Sequence, residues 1–205
     1  MQKTHCVLVL TLLVCSASAW ADGFYGLGEV THSAASLDSS YFNSVLSANG
    51  SPANSSSTSG NGTQWRLQLG YQFNDIFAVE GGYIDLGKAG YSANYATGSA
   101  QGSLQAGGLD IAGIASLPLN EQFSLFGKVG VVVAEVKSSL SMDTLGSFNS
   151  KQTVISPLFG LGAVYRLNTS WDLRADLDYV SNLGKTASTG QMSTTMFSLG
   201  AAYHF

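Results

Sequence analysis

Large apolar residues recur at every second position through most of this chain. In Trp65-Arg66-Leu67-Gln68-Leu69-Gly70-Tyr71-Gln72-Phe73 each odd residue is large and apolar, and each even one is polar or glycine. Trp171-Asp172-Leu173-Arg174-Ala175-Asp176-Leu177-Asp178-Tyr179 repeats the pattern with charges at the even positions. Phe197-Ser198-Leu199-Gly200-Ala201-Ala202-Tyr203-His204-Phe205 carries it to the last residue. Such alternation predicts strands with one apolar face. Weaker copies run over 77–83, 109–119, 123–136 and 156–167, and a further strand is expected over 23–31. Which way that first strand faces stays open, because Gly26 and Gly28 carry no signal. No segment has a comparable 3.6-residue pattern. The expectation is an all-β chain of eight strands.

The connectors alternate in length. Asn74-Asp75, Asn120-Glu121 and Asn168-Thr169-Ser170 are tight turns, whereas 32–63, 87–106, 137–153 and 182–192 are expected as long loops. The stretch Ser47 to Thr63 looks too polar to build a core. Short turns at one end and long loops at the other belong to an up-and-down barrel that crosses an outer membrane. The polar face points the same way. It carries Arg66, Glu80, Asp110, Lys128, Arg174 and Asp176, while Trp, Tyr, Phe and Leu fill the other. Eight strands enclose only enough room for side chains, so the bulky aromatics must face outward, towards lipid. Phe73, Phe77, Phe123, Tyr165, Trp171 and Phe205 fall near one rim, and Trp65, Tyr83, Tyr179 and Phe197 towards the other. These are expected as two interfacial girdles. A secreted soluble sandwich would instead place aromatics mid-strand and charges outside.

Composition narrows the choice. The chain is 205 residues long, 45% hydrophobic and only 11% charged, against about a quarter charged in an ordinary soluble domain. No run approaches the ~20 apolar residues of a membrane-spanning helix. Nine scattered Lys and Arg and a net charge of −4 exclude a basic nucleic-acid footprint. Lys3, the apolar Val7 to Val14 and the small residues Ala17-Ser18-Ala19-Trp20-Ala21 predict a cleaved signal peptide over 1–21 and a barrel over 22–205. Cleavage after Ala19 also fits the small-residue rule. Val14 before Cys15 argues against a lipidated cysteine. The mature chain then holds eight basic and thirteen acidic residues, a net of −5, and no cysteine, since Cys6 and Cys15 leave with the signal.

Several of these segments, in this order, resemble OmpA-type outer-membrane barrels. Gly70-Tyr71-Gln72-Phe73-Asn74-Asp75 running into Val79-Glu80-Gly81-Gly82-Tyr83-Ile84-Asp85-Leu86-Gly87 is similar to that family's second hairpin. Ser156-Pro157-Leu158-Phe159-Gly160-Leu161-Gly162 and Leu173 to Tyr179 resemble its sixth and seventh strands. The resemblance spans residues 22–205. It implies an eight-stranded antiparallel up-and-down transmembrane barrel in a Gram-negative outer membrane, with both termini periplasmic. OmpA itself carries a peptidoglycan-binding domain after the barrel. This sequence ends at Phe205, so no such link to the cell wall is expected. The family pairs an interior carboxylate with an arginine, positions that match Glu80 and Arg174, and has a basic residue where Lys128 stands. A second lysine–glutamate pair of the family is replaced here by Ile114 and Val164, so an inherited gate is not expected.

No catalytic constellation is visible. After the signal, His32 and His204 are the only histidines, and they fall at opposite ends of the expected barrel; a Ser–His–carboxylate site needs convergence. Gly160-Leu161-Gly162 lacks the third glycine and the following helix of a dinucleotide site. The sequons at Asn49, Asn54 and Asn61 follow from a Ser/Asn-rich stretch. No metal cluster and no cofactor are expected. Taken together, the reading is a monomeric, non-enzymatic outer-membrane barrel with a structural and surface-interaction role. Its expected partners are outer-membrane lipid, lipopolysaccharide, the outer-membrane assembly machinery and a host or cell-surface ligand at the four loops. Phe197, Leu199, Tyr203 and Phe205 resemble the C-terminal signal read by that machinery. A narrow low-conductance pore and a lipid A-modifying enzyme are the alternatives.

Overall fold

The computed structural model describes residues 23–96, 98–143, 146–185 and 189–205. The expected signal peptide, with Cys6 and Cys15, lies outside them. The elements are β1 (Phe24–Asp38), α1 (Ser40–Ala48), β2 (Ser55–Ser59), β3 (Asn61–Gln72), β4 (Phe77–Tyr95), β5 (Gly98–Pro118), β6 (Phe123–Met142), β7 (Gly146–Arg166), β8 (Trp171–Lys185) and β9 (Gly190–His204). All pairings are antiparallel. Eight strands close a ring in the order β4-β3-β1-β9-β8-β7-β6-β5, with β5 returning to β4. The first and last strands pair from Tyr25–His204 to Asp38–Gln191, so the ring has no free edge. The ninth segment, β2, pairs only with the far end of β4, from Ser55–Asn94 to Ser59–Gly90.

The tight turns fall where the sequence predicts them. Asn74, Asn120 and Asn168 each accept two backbone N–H groups through Oδ1, the Asx geometry that lets one side chain close a turn. The expected long loops are corrected. Most of 87–106, 137–153 and 182–192 is strand, and 32–63 holds the end of β1, then α1, β2 and the start of β3; β4 to β7 run for 19 to 21 residues, about twice the ~9–11 a bilayer requires. Even the polar stretch 47–63 contributes β2 and the start of β3.

Two bulges explain where the pattern stops being readable. In β4 the register shifts between Asp85 and Gly87, with Gly87 at a φ of +85°. Below the bulge even positions face inward (Glu80, Ile84); above it odd ones do (Ala89, Tyr91, Ala93, Tyr95). In β8 the shift lies between Val180 and Leu183, with Asn182 at a φ of 59°. A one-residue insertion sends every later side chain to the other face. An alternation read from the turn end therefore breaks at 87 and 182.

Polarity inverts along the barrel axis. Nearer the turns the outer face is apolar: Leu125, Val129, Val131 and Val133 of β6 point outward. Farther along, the same face carries Glu135, Lys137, Ser139 and Ser141, while Val136, Leu140 and Met142 turn inward. Lipid outside demands one arrangement and water the other. The aromatics follow the lipid. Phe73, Phe77, Tyr165, Trp171 and Phe205 ring the turn end, and Trp65, Tyr83, Tyr179 and Phe197 the other boundary, all exposed. Phe123 is half-buried. Trp65 stacks on Tyr83 at 5.1 Å and Trp171 packs on Tyr203 at 5.0 Å.

Beyond the lipid band the barrel encloses a soluble-type core. Leu86, Leu104, Val136, Val180, Leu183, Met192 and Met196 are buried in it. The helix α1, which the sequence reading lacks, lies over this core. Phe42 and Leu46, one helical turn apart, are completely buried. Phe42 stacks on Tyr91 at 4.8 Å, and the Tyr91 hydroxyl donates to Asn43 Oδ1 at 2.5 Å. A signal existed in Phe42, Val45 and Leu46 at helical spacing, but Ser and Asn around it made the segment read as loop.

Candidate functional site: a charged lumen

The alternating strands bring one layer of ionisable side chains to the barrel axis on the turn side of the apolar core. Arg66 of β3, Glu80 of β4, Asp110 of β5, Lys128 of β6, and Arg174 and Asp176 of β8 all lie there, each buried. These are the six interior charges singled out by the sequence. Arg174 forks onto Glu80, one nitrogen in direct contact with Oε1 and the other 3.1 Å from Oε2. Its Nε donates to Asp176 at 3.1 Å, and its guanidinium lies 4.3 Å from the centre of the Phe126 ring. Lys128 Nζ is 3.4 Å from both Asp176 and Asp178 and 4.0 Å from Glu80. Arg66 donates to Asp178 at 2.6 Å and to Glu29 at 3.2 Å. Asp110 accepts from Gln68 at 2.7 Å.

Four participants were missing from the sequence-based set. Glu29 was hidden because Gly26 and Gly28 left the facing of β1 unread. Tyr25, whose hydroxyl donates to Glu80 at 2.6 Å, was hidden for the same reason. Asp178 stands in the β8 alternation with Arg174 as its nearest cation in the sequence, but its partners are Arg66 and Lys128. Phe126 faces inward, against the expectation that aromatics all face lipid, because its ring seats Arg174. The layer is thus unbalanced. Glu29, Glu80, Asp110, Asp176 and Asp178 face Arg66, Lys128 and Arg174, five carboxylates to three cations among the described residues. Buried charges persist only when paired and hydrogen-bonded, which accounts for the density of contacts.

Glycine makes the room. A Cβ on Gly160 would collide with the Asp178 carboxylate, and one on Gly70 with the Tyr25 ring. Gly160-Leu161-Gly162 is therefore a space-making element of the wall.

Ile114 and Val164 line an open vestibule at the turn end with Tyr25, Phe126 and Arg174. On the vestibule rim His204 Nε2 lies 2.8 Å from Asp172, and Arg166 lies 3.8 Å from the same carboxylate. His32 stands at the other boundary, facing outward opposite Phe197. The two histidines do not converge. Phe197, Leu199, Tyr203 and Phe205 all face outward along β9. At the hairpin end, the Ser99 backbone N–H and hydroxyl donate to Asp143 at 2.8 and 2.9 Å, which holds that carboxyl below the usual carboxylate range.

A closed ring, a lipid-facing exterior with two aromatic belts and a charged interior define an integral β-barrel of a Gram-negative outer membrane. Residues 31–205 match the OmpA-like transmembrane domain, and the chain belongs to that family. It is similar to Outer membrane protein A of Serratia marcescens, at 31% identity over 139 residues, 67% of this chain. The corresponding protein of Yersinia pseudotuberculosis is 28% identical over a stretch of the same length. The match spans 38% of the length of each of these relatives. Among solved structures, the attachment invasion locus protein Ail of Yersinia pestis superposes with a TM-score of 0.53 at 16% identity, covering 89% of this chain and 99% of Ail. Neisserial surface protein A superposes with a TM-score of 0.53 at 17% identity, covering 89% of this chain and 97% of its own. Both share the fold.

Proposed function

We propose that the protein is a closed scaffold of the outer membrane that presents its long hairpins for surface contacts, without catalysis. The observation that carries this reading is the filling of the lumen at two levels. The Glu80–Arg174–Lys128–Asp176 layer occupies the axis within the lipid band, and the apolar core under α1 occupies it beyond. Interior volume at eight strands is used up by side chains. His204 is engaged with Asp172 and His32 faces outward, so neither is placed to activate a nucleophile. Partners consistent with this reading are outer-membrane lipid, the assembly machinery and a cell-surface ligand at the hairpin ends, with the chain acting as a monomer. Removal of residues 1–21 on export is part of the proposal.

Reconstitution of the purified protein in planar bilayers tests it. Silent recordings are expected; steady unitary conductance would establish the narrow pore instead. The intact mass of the same preparation reads the cleavage, with Asp22 expected as the first residue.

A further inference from the structure

On the outer wall of β4 to β7, just beyond the lipid band, three lysines share one row. Lys88 stands opposite Gln105, Gln105 opposite Lys137, and Lys137 opposite Lys151. Lys88, Gln105, Lys137 and Lys151 line one surface depression. The other described outward cations are Lys185, on a different hairpin, and Arg166, at the turn end. In a chain of net charge −4, most of the outward cations on the hairpin side are thus gathered on one flank.

This arrangement is unfavourable by itself. Like charges directly opposite on neighbouring strands repel, as Lys137 and Lys151 do. Glu135 relieves part of the repulsion: its two oxygens lie 3.1 Å from Lys137 Nζ and 2.6 Å from Lys151 Nζ. That is one carboxylate for two cations, and both lysine side chains remain more than 60% exposed. Lys88 has no ion-pair partner among the described residues. The row is short of anions.

The rows beneath show what kind of anion fits. Next towards the membrane come Asp85, Gly107, Glu135 and Thr153, and then Tyr83, Leu109, Val133 and Ile155. That last row is exposed and apolar, part of the lipid-facing band. It lies four residues, ~13 Å along tilted strands, from the lysines, a gap that flexible lysine stems shorten by reaching down. Gly107 has no side chain, so a shallow groove lined by Tyr83, Leu109, Val133, Gln105 and Lys137, with the Asp85 and Glu135 carboxylates on its walls, joins the two rows. A ligand for this surface has an acyl body below and anionic groups above.

We propose that the Lys88–Gln105–Lys137–Lys151 row binds the phosphorylated headgroup of an outer-leaflet glycolipid whose acyl chains lie along Tyr83, Leu109, Val133 and Ile155. The proposal rests on the outer-membrane placement but not on whether the lumen conducts. Lysine ammonium groups near a membrane surface attract anionic lipid strongly enough for three of them to select it, and phosphate oxygens accept charge-assisted hydrogen bonds from them. Glu135 positions the two paired lysines and competes with the phosphate for them.

The test is native mass spectrometry of the folded full chain in detergent, titrated with diphosphoryl lipid A, monophosphoryl lipid A, phosphatidylglycerol and inorganic phosphate. The half-saturating concentration of diphosphoryl lipid A should rise about a hundredfold in K88Q/K137Q/K151Q. It should stay unchanged in K185Q and fall in E135Q, which frees two cations. Heat-modifiable gel mobility checks folding; if the triple variant does not fold, K88Q alone, which breaks no ion pair, should still weaken binding. Wild-type retention of lipid A by the folded variants would overturn the site. Equal binding of inorganic phosphate would overturn the lipid assignment, and equal binding of phosphatidylglycerol would overturn the glycolipid headgroup. A conducting lumen with lysine-dependent lipid A binding would refute the closed scaffold and leave this site standing.

Discussion

Arg174 touches three interior groups at once, Glu80, Asp176 and the Phe126 ring, and is linked through Glu80 to the Tyr25 hydroxyl. Removing it leaves Glu80 with only Lys128, 4.0 Å away, and Asp176 with Lys128 and Arg66, in a layer that then holds five acids to two bases. Removing Glu80 takes away an acid and leaves Arg174 with Asp176 and Lys128 with Asp176 and Asp178. Deleting one partner of a buried pair typically costs ~3–5 kcal/mol. Arg174→Ala should fall in that range, and Glu80→Ala should cost clearly less, in urea unfolding from lipid vesicles. Equal losses would show that the charge imbalance does not govern the stability of the layer.

At the scale of elements, α1 is the one described element that the barrel ladder does not hold. Its N-terminus is fixed locally, with Ser40 N–H donating to Asp38 at 2.9 Å, but a nine-residue helix is marginal alone. Burial of Phe42 and Leu46 holds it in place. Phe→Ala in a core commonly costs ~3–5 kcal/mol, more than so short a cap can lose. Phe42→Ala should therefore release α1 while the strands stay paired. The expected readout is faster amide exchange over 39–54 and new proteolysis there on intact cells, with unchanged heat-modifiable mobility. Loss of that mobility would mean that cap and barrel unfold as one unit.

At the scale of the whole molecule, closure depends on the last strand finding the first. The Phe205 N–H donates to Phe24 O at 3.1 Å, and its ring packs edge-on against Tyr203 at 5.4 Å in the turn-end belt. In lipid an unpaired strand edge leaves backbone groups without partners, so a slow closing step exposes the whole chain to failure. Deleting Phe205 should lower the yield of folded, heat-modifiable protein. An unchanged yield would remove Phe205 from both closure and the proposed assembly signal.

Alternation by itself determined which residues of 65–83, 123–136, 171–179 and 197–205 share a face, because side-chain direction in a strand is a local property with a period of two. It also determined that the polar face lies inside the lipid band, because eight strands cannot hold that many aromatics. The facing of β1 was not legible, since glycines at 26 and 28 leave one side of the alternation blank, and Glu29 and Tyr25 went unassigned with it. Beyond residues 87 and 182 the bulges invert the phase, and water replaces lipid outside, so a correct local pattern led to loops where strands continue. Which charges meet is decided across the lumen: Arg66 and Asp178 are 112 positions apart in the chain and 2.6 Å apart in space. The lysine row likewise exists only through register, which sets Lys88, Lys137 and Lys151 side by side from three strands. Local chemistry wrote the faces of the strands; closing the ring chose the partners on each face.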